Sequence, residues 1–204
     1  MNKDNLKDIF ENIQDGTVLA FYGKKWTAKI ITIFTREKKD ENVPQHVAIV
    51  YEVKRNENSC SFKVSEQTFH GGRYRDVVIN KSNEEYYTVD KYFLKQKFIE
   101  MFLVPMTQEQ INLGIKDAIS QIDKKYGYNR LIFGWEFLEK ILPKEWQRNI
   151  YLKLNKKEAV RVCSNHVHYN LRNAGFKIPL DDFFTPIEII KYIKKYLLKS
   201  DIKV

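Results

Sequence analysis

A chain of 204 residues, 43% hydrophobic and 14% aromatic, holds enough apolar material for one sizeable core, which excludes a disordered or fibrous protein. Its two cysteines exclude a disulfide-stapled scaffold and lack metal-type pair spacing. The formal net charge of +9 can attract an anionic polymer, an anionic lipid surface or nucleic acid, but it fits equally the solvated lysine faces of a Lys/Ile/Asn-rich proteome.

Residues 3–14 read as a short amphipathic lead-in, with Leu6, Ile9, Phe10 and Ile13 on one side. No apolar h-region follows the start, so no secretory signal is expected, and synthesis in a reducing cytoplasm is the reading. Asp15-Gly16 marks a turn into a strand, TVLAFY (17–22). Trp26, Ile30, Ile33 and Phe34 then predict a helix over 24–35, closed by the charged loop REKKDENVP (36–44).

QHVAIVYEV (45–53) and SFKVSEQTF (61–69) read as strands joined by a polar hairpin loop centred near Asn56. An antiparallel pair folded about that centre sets His46 directly opposite Glu66 and Cys60 opposite Glu52. Period-2 alternation groups His46, Ala48 and Val50 on one face with Phe62, Val64 and Glu66. A carboxylate closing an apolar face is costly unless it is paired, and a facing imidazole is a suitable partner. The plainer alternative is that both side chains simply reach solvent at the strand ends.

GGRYRDVVIN (71–80) continues as turn and strand, and KFIEMFLVPM (97–106) reads as a buried strand. Thr107 and Gln110 form a capping-box pattern opening a helix through Ile122. Residues 126–154 read as an apolar helical insertion; its best apolar run, 131–142, is interrupted by Glu136, Glu139 and Lys140 and does not reach membrane-spanning length. In RVCSNHVHYNLRNAG (161–175), Val167, Leu171 and Ala174 recur at helical spacing and Gly175 sits where a left-handed cap would stop the helix. Thr185-Pro186 opens a last helix with Ile187, Ile190, Ile193 and Leu197 inward and its lysines outward.

Cys163 falls at the start of its helix, where unpaired N–H groups and the helix dipole favour a thiolate. A lone cysteine there is by default a buried structural thiol. The His46–Glu66 pair changes the weighting, because thiol, base and orienting acid make a nucleophilic triad recognised by roles and not by chain order. Cys163 would attack an acyl carbon, His46 would take and return its proton, and Glu66 would hold the ring. The backbone N–H of Cys163 is one oxyanion donor; Tyr22, Gln45, Ser164 and His166 are the further oxyanion or cleft candidates. His166, on the same helix, has poor geometry to act as base for Cys163, and His70 reads as a turn residue.

These residues, in this order, carry a resemblance. DGTVLAFYG (15–23), QHVAIVY (45–51), VSEQTF (64–69), the Tyr-Gly-Tyr segment 126–128, CSNHVHYNL (163–171) and FTPIEI (184–189) resemble the circularly permuted papain-like cysteine hydrolases of the NlpC superfamily, in its YiiX-like branch. The resemblance spans roughly residues 15 to 190. Asn165 and His166 depart from it, standing where members more often carry an acidic and an apolar residue, and 129–154 has no counterpart.

The resemblance implies a single α+β domain over 1–204, with an antiparallel sheet or partial barrel packed against the nucleophile helix. It also implies a cysteine peptidase or amidase working through a thioester, acting on peptide or amide bonds such as those of peptidoglycan, with no cofactor and no metal. Two alternatives stand beside it: a catalytically silent structural or binding module of a virus particle or cell envelope, and a lipid acyltransferase of the same fold. Nucleic acid ranks last among partners, since no basic run is interleaved with aromatics. The Lys/Asn/Ile-rich composition points to an AT-rich bacterium or its virus, with a virion-associated or envelope-peripheral placement as the corresponding location.

Overall fold

The structure, a computed structural model, describes residues 3–23, 44–68, 70–83, 86–89, 91–124, 161, 163–178 and 186–198. The helix expected over 24–35, its charged loop as far as residue 43, the insertion at 126–154, the Tyr-Gly-Tyr segment and Thr185 lie outside the described residues.

Six antiparallel strands form one sheet curled into a half-barrel, and helices cover it in an α+β arrangement. They are β1 (Thr17–Gly23), β2 (His46–Arg55), β3 (Ser59–Thr68), β4 (Gly71–Asn83), β5 (Tyr86–Val89) and β6 (Gln96–Leu103), in the order β5-β4-β3-β2-β1-β6. The helices are α1 (Lys3–Asn12), the single turn α2 (Lys91–Leu94), α3 (Gln108–Ser120), α4 (Cys163–Asn173) and α5 (Pro186–Tyr192), the last running into a π-helical turn at Ile193–Leu197. None of them is long and apolar enough to cross a membrane, among the described residues. Neither β5 nor α2 was expected from the sequence.

Alternation divides the core into two layers. On one face Leu19, Phe21, Ala48, Val50, Phe62 and Val64 pack against Leu6, Ile9 and Phe10 of α1 and Ile13 just beyond its end. Leu6, Ile9, Phe10 and Ile13 are all buried, as their spacing requires, each gaining on the order of 1.5–3 kcal/mol from leaving water. On the other face Val18, Ala20, Val47, Ile49 and Tyr51 pack against Val167 and Leu171 of α4 and Ile189, Ile190 and Ile193 of the last helix. Ile187, expected inward, is only half-buried and Ile189 takes its place.

Strand β6 is not the wholly buried strand expected. It lies at the sheet edge, with Ile99 and Phe102 buried and Gln96, Lys97 and Leu103 partly or fully exposed. The Asn5 side chain covers part of that edge, its Nδ2 donating to the Ile99 carbonyl at 2.7 Å and its Oδ1 accepting from the Ile99 N–H at 2.8 Å. Helix α3 opens as the sequence predicts, with Thr107 and Gln110 capping each other reciprocally.

The β2–β3 hairpin departs from its expected register. The ladder pairs Ile49 with Ser65 and Val50 with Val64, two residues out of step with a fold about Asn56, and Cys60 faces Arg55 instead of Glu52. Two features set the size of the offset: the turn shifts the ladder by three residues, and a bulge on β2 takes one of them back. The Asn56 side chain accepts from the N–H of Asn58 and of Ser59, at 3.0 and 2.7 Å, drawing the turn beyond residue 56. A bulge between Tyr51 and Lys54, with Glu52 at φ +55°, adds length to β2; the Val53 N–H it releases donates to Asp15 Oδ1 at 2.9 Å. Because a shift of two preserves the face, Ala48, Val50, Phe62 and Val64 still share one core.

Candidate active site

His46 is the first residue of β2, and continuing the observed register sets Glu66 level with Ala48. The two side chains therefore meet diagonally and not head-on, with His46 Nε2 2.8 Å from Glu66 Oε2. The His46 ring leans on Phe21, centroids 5.4 Å apart, and Phe21 is itself held edge-on by Phe93. Glu66 is 1% exposed and its other oxygen, Oε1, lies 3.0 Å from Arg75 Nε on β4. A buried carboxylate requires such partners, since an unpaired one would be desolvated at a cost of several kcal/mol.

Cys163 opens α4, whose next turns bury Val167 and Leu171 against β2. This packing delivers the thiol to the start of β2, where it hydrogen-bonds His46 and accepts from the backbone N–H groups of Val47 and Ser164. With Nε2 engaged by Glu66, Nδ1 is the His46 nitrogen left for the thiol.

Burial pushes the Cys163 thiol up, but the hydrogen bond and charge of His46, with the two N–H groups, outweigh it and hold the thiol below its ordinary value. Burial likewise pulls His46 down, and its hydrogen bonds to Cys163 and Glu66, with their charges, overcome that and raise it to about 10. Opposite shifts in two touching groups favour the charged pair, thiolate and imidazolium, over the neutral one. Cys60 is the contrast: buried in the α1-side core, its thiol is pushed up by desolvation, against a smaller opposing pull from Arg55.

The four further candidates have separate fates. Tyr22 lies on the α4 side of the sheet, stacks on Phe98 at 4.2 Å and donates its hydroxyl to Glu100 Oε2 at 2.8 Å. Gln45 accepts the Gly23 N–H with its side-chain oxygen, tying the start of β2 to the end of β1. Ser164 is buried and contributes its backbone N–H to the Cys163 sulfur. His166 is buried beneath α4 with Nε2 2.7 Å from Ser65 Oγ. Burial, aided by the charge of Arg161, lowers it to about 3, so it is a neutral strut and cannot serve as a base at neutral pH. His70 sits exposed in the β3–β4 turn, as expected.

Several residues that serve the site carried no local sequence signal. Arg75 is one; the alternation of RYRDVV shows that Arg73 and Arg75 share a face, but only the β3–β4 register brings that face to Glu66. A second set anchors α4. Asp117 of α3 receives both Arg161 guanidinium nitrogens, at 2.6 and 3.0 Å, and Asn173 Nδ2 at 2.7 Å. Asn170 donates to the Gly114 carbonyl at 3.0 Å and accepts from the Tyr51 hydroxyl. Against burial, which raises it, the Arg161 and Asn173 partners hold the Asp117 carboxyl below the usual range.

The chain matches no family model, no curated protein and no solved structure.

Proposed function

We propose that this chain is a cysteine-dependent amidase or peptidase of circularly permuted papain-like fold, acting by acyl transfer through a Cys163 thioester. The observation that carries the reading is the continuous chain from the Cys163 thiol through His46 to Glu66, with the thiol held below and the imidazole above their ordinary values. A structural thiol gains nothing from a raised imidazole; a nucleophile does. The order His46, Glu66, Cys163, with the cysteine helix packed on a curled antiparallel sheet, supports the permuted fold.

The thiolate attacks the carbonyl carbon of an amide, whose oxygen becomes an oxyanion at the N-terminus of α4, near the backbone N–H of Cys163. Imidazolium His46 donates its proton to the leaving nitrogen as the C–N bond breaks, leaving an acyl-thioester. Neutral His46 then removes a proton from water, the hydroxide attacks the thioester, and the acid leaves as His46 and Cys163 return to the ion pair. Glu66 holds the ring through both proton transfers and stabilises its charged form. A cell-wall peptide is the substrate class we favour, on the resemblance of the motifs.

The test is alkylation by iodoacetamide near neutral pH, resolved by mass spectrometry. Cys163 is expected to react at least tenfold faster than Cys60, and His46→Ala to abolish the difference. Equal, slow labelling of both thiols would sink the reading in favour of a catalytically silent module.

A further inference from the structure

We propose that Arg75 is the fourth member of the site, a positioning residue that orients the Glu66 carboxylate and balances the charge of the thiolate–imidazolium–carboxylate chain. This rests on the reading of Cys163 and His46 as nucleophile and proton carrier.

Glu66 lies on the middle one of three adjacent strands, with His46 on β2 to one side and Arg75 on β4 to the other. In the β3–β4 ladder Arg75 pairs with Val64, so it approaches Glu66 diagonally from one side as His46 does from the other. Each carboxylate oxygen meets a different cation, Oε2 the imidazole at 2.8 Å and Oε1 the guanidinium at 3.0 Å. With a cation at each oxygen the carboxylate favours one orientation, so the direction of Oε2, and with it the His46 ring, is biased from the far side by the charge of Arg75.

The charges then alternate along the chain: thiolate, imidazolium, carboxylate, guanidinium. Their sum is zero, which a site with Glu66 at 1% and Cys163 at 6% exposure needs. Without the guanidinium the same catalytic state carries a net negative charge, and retaining a proton on the thiol is the least costly relief. Other charged groups around the site do not replace it. Arg73 pairs with Glu66 in the ladder but is exposed, His166 is neutral, and Arg161 and Asp117 neutralise each other.

The experiment measures the pH dependence of Cys163 alkylation in the full chain for wild type, Arg75→Gln and Arg75→Lys. Glutamine retains an N–H donor for Glu66 without the charge; lysine retains the charge without the fork. Arg75→Gln is expected to move the acid limb up by about one pH unit, roughly tenfold less reactive thiolate below the limb, and Arg75→Lys by a small fraction of that. A purely structural role would lower the melting temperature of both variants and leave the limb in place. Coincident limbs in wild type and Arg75→Gln, or equal shifts in the two variants, would overturn the proposal.

Should Arg75→Gln not fold, Glu66→Gln is compared with the Glu66→Gln, Arg75→Gln double variant, which buries neither charge. The limb again moves up in the double variant, and coincidence overturns the proposal. Wild-type labelling no faster at Cys163 than at Cys60 removes the underlying reading as well; a wild-type limb indifferent to Arg75 removes only the fourth member.

Discussion

Replacing Glu66 by glutamine removes one charge while keeping the side chain's shape, which isolates what the carboxylate does to His46. The His46 pKa stands at about 10 against an ordinary 6.5, and Glu66 supplies two of the four upward contributions, its hydrogen bond and its charge. Losing both should bring His46 down from about 10 toward its ordinary value by a unit or more, on the order of 1–3 kcal/mol less stabilisation of the imidazolium. The sign follows for stability too. A group raised on folding contributes stability fully below its unfolded value of about 6.5 and loses it as pH climbs through about 10. Glu66→Gln should therefore cost most below pH 6.5 and least above 10. Histidine-selective NMR titration reads the shift directly, and the chain has only four histidines to assign. His166 is the internal control, since a group lowered to about 3 stays neutral and unmoving from pH 5 upward. Wild-type His46 titrating near 6.5, or identically in the variant, would refute the reasoning.

Hydrolysis of an amide substrate should rise through the depressed Cys163 value and fall as His46 loses its proton near pH 10; a rate still climbing at pH 11 would remove His46 as the acid. Asp117→Ala strands a buried guanidinium and should cost about 3–5 kcal/mol in chemical denaturation, with loss below 1 kcal/mol counting against the anchor. Gly114→Ala places a Cβ 2.1 Å from the Tyr51 hydroxyl, pushing Tyr51 off Asn170; roughly 1–3 kcal/mol of stability should be lost. Thr107→Ala removes a cap from α3 at about 1 kcal/mol, and an unchanged denaturation midpoint would show that the capping box contributes nothing.

Local pattern alone specified a large part of the molecule. Runs of strand-forming residues bounded by turn signals marked β1 to β4, with period-2 alternation sorting the faces of β2 and β3, and helical spacing marked α1, α3 and α4, because each pattern is a property of neighbouring residues. It also set the parity that grouped His46 with Glu66, which survived a register error of two residues because an even slip leaves every side chain on its face. The size of that slip was not legible. It depends on an Asx turn at Asn56 and on a bulge at Glu52 whose released N–H is claimed by Asp15, a partner on another segment.

Partners drawn from distant strands were equally beyond local reading. Arg75 reaches Glu66 only through the β3–β4 ladder, and Asp117 meets Arg161 across 44 residues. The edge position of β6 was hidden too, since a strand's place in a sheet is decided by which neighbours find it. Sequence by itself thus determined which elements form, which faces are apolar, and that a cysteine begins a helix while a histidine and a glutamate share a strand face. Tertiary structure decided that Cys163 meets His46, that His166 is a buried neutral strut, and that an arginine closes the far side of the carboxylate. The division is physical: periodicity is encoded over a few residues, whereas desolvation, charge pairing and register exist only once distant segments are packed together.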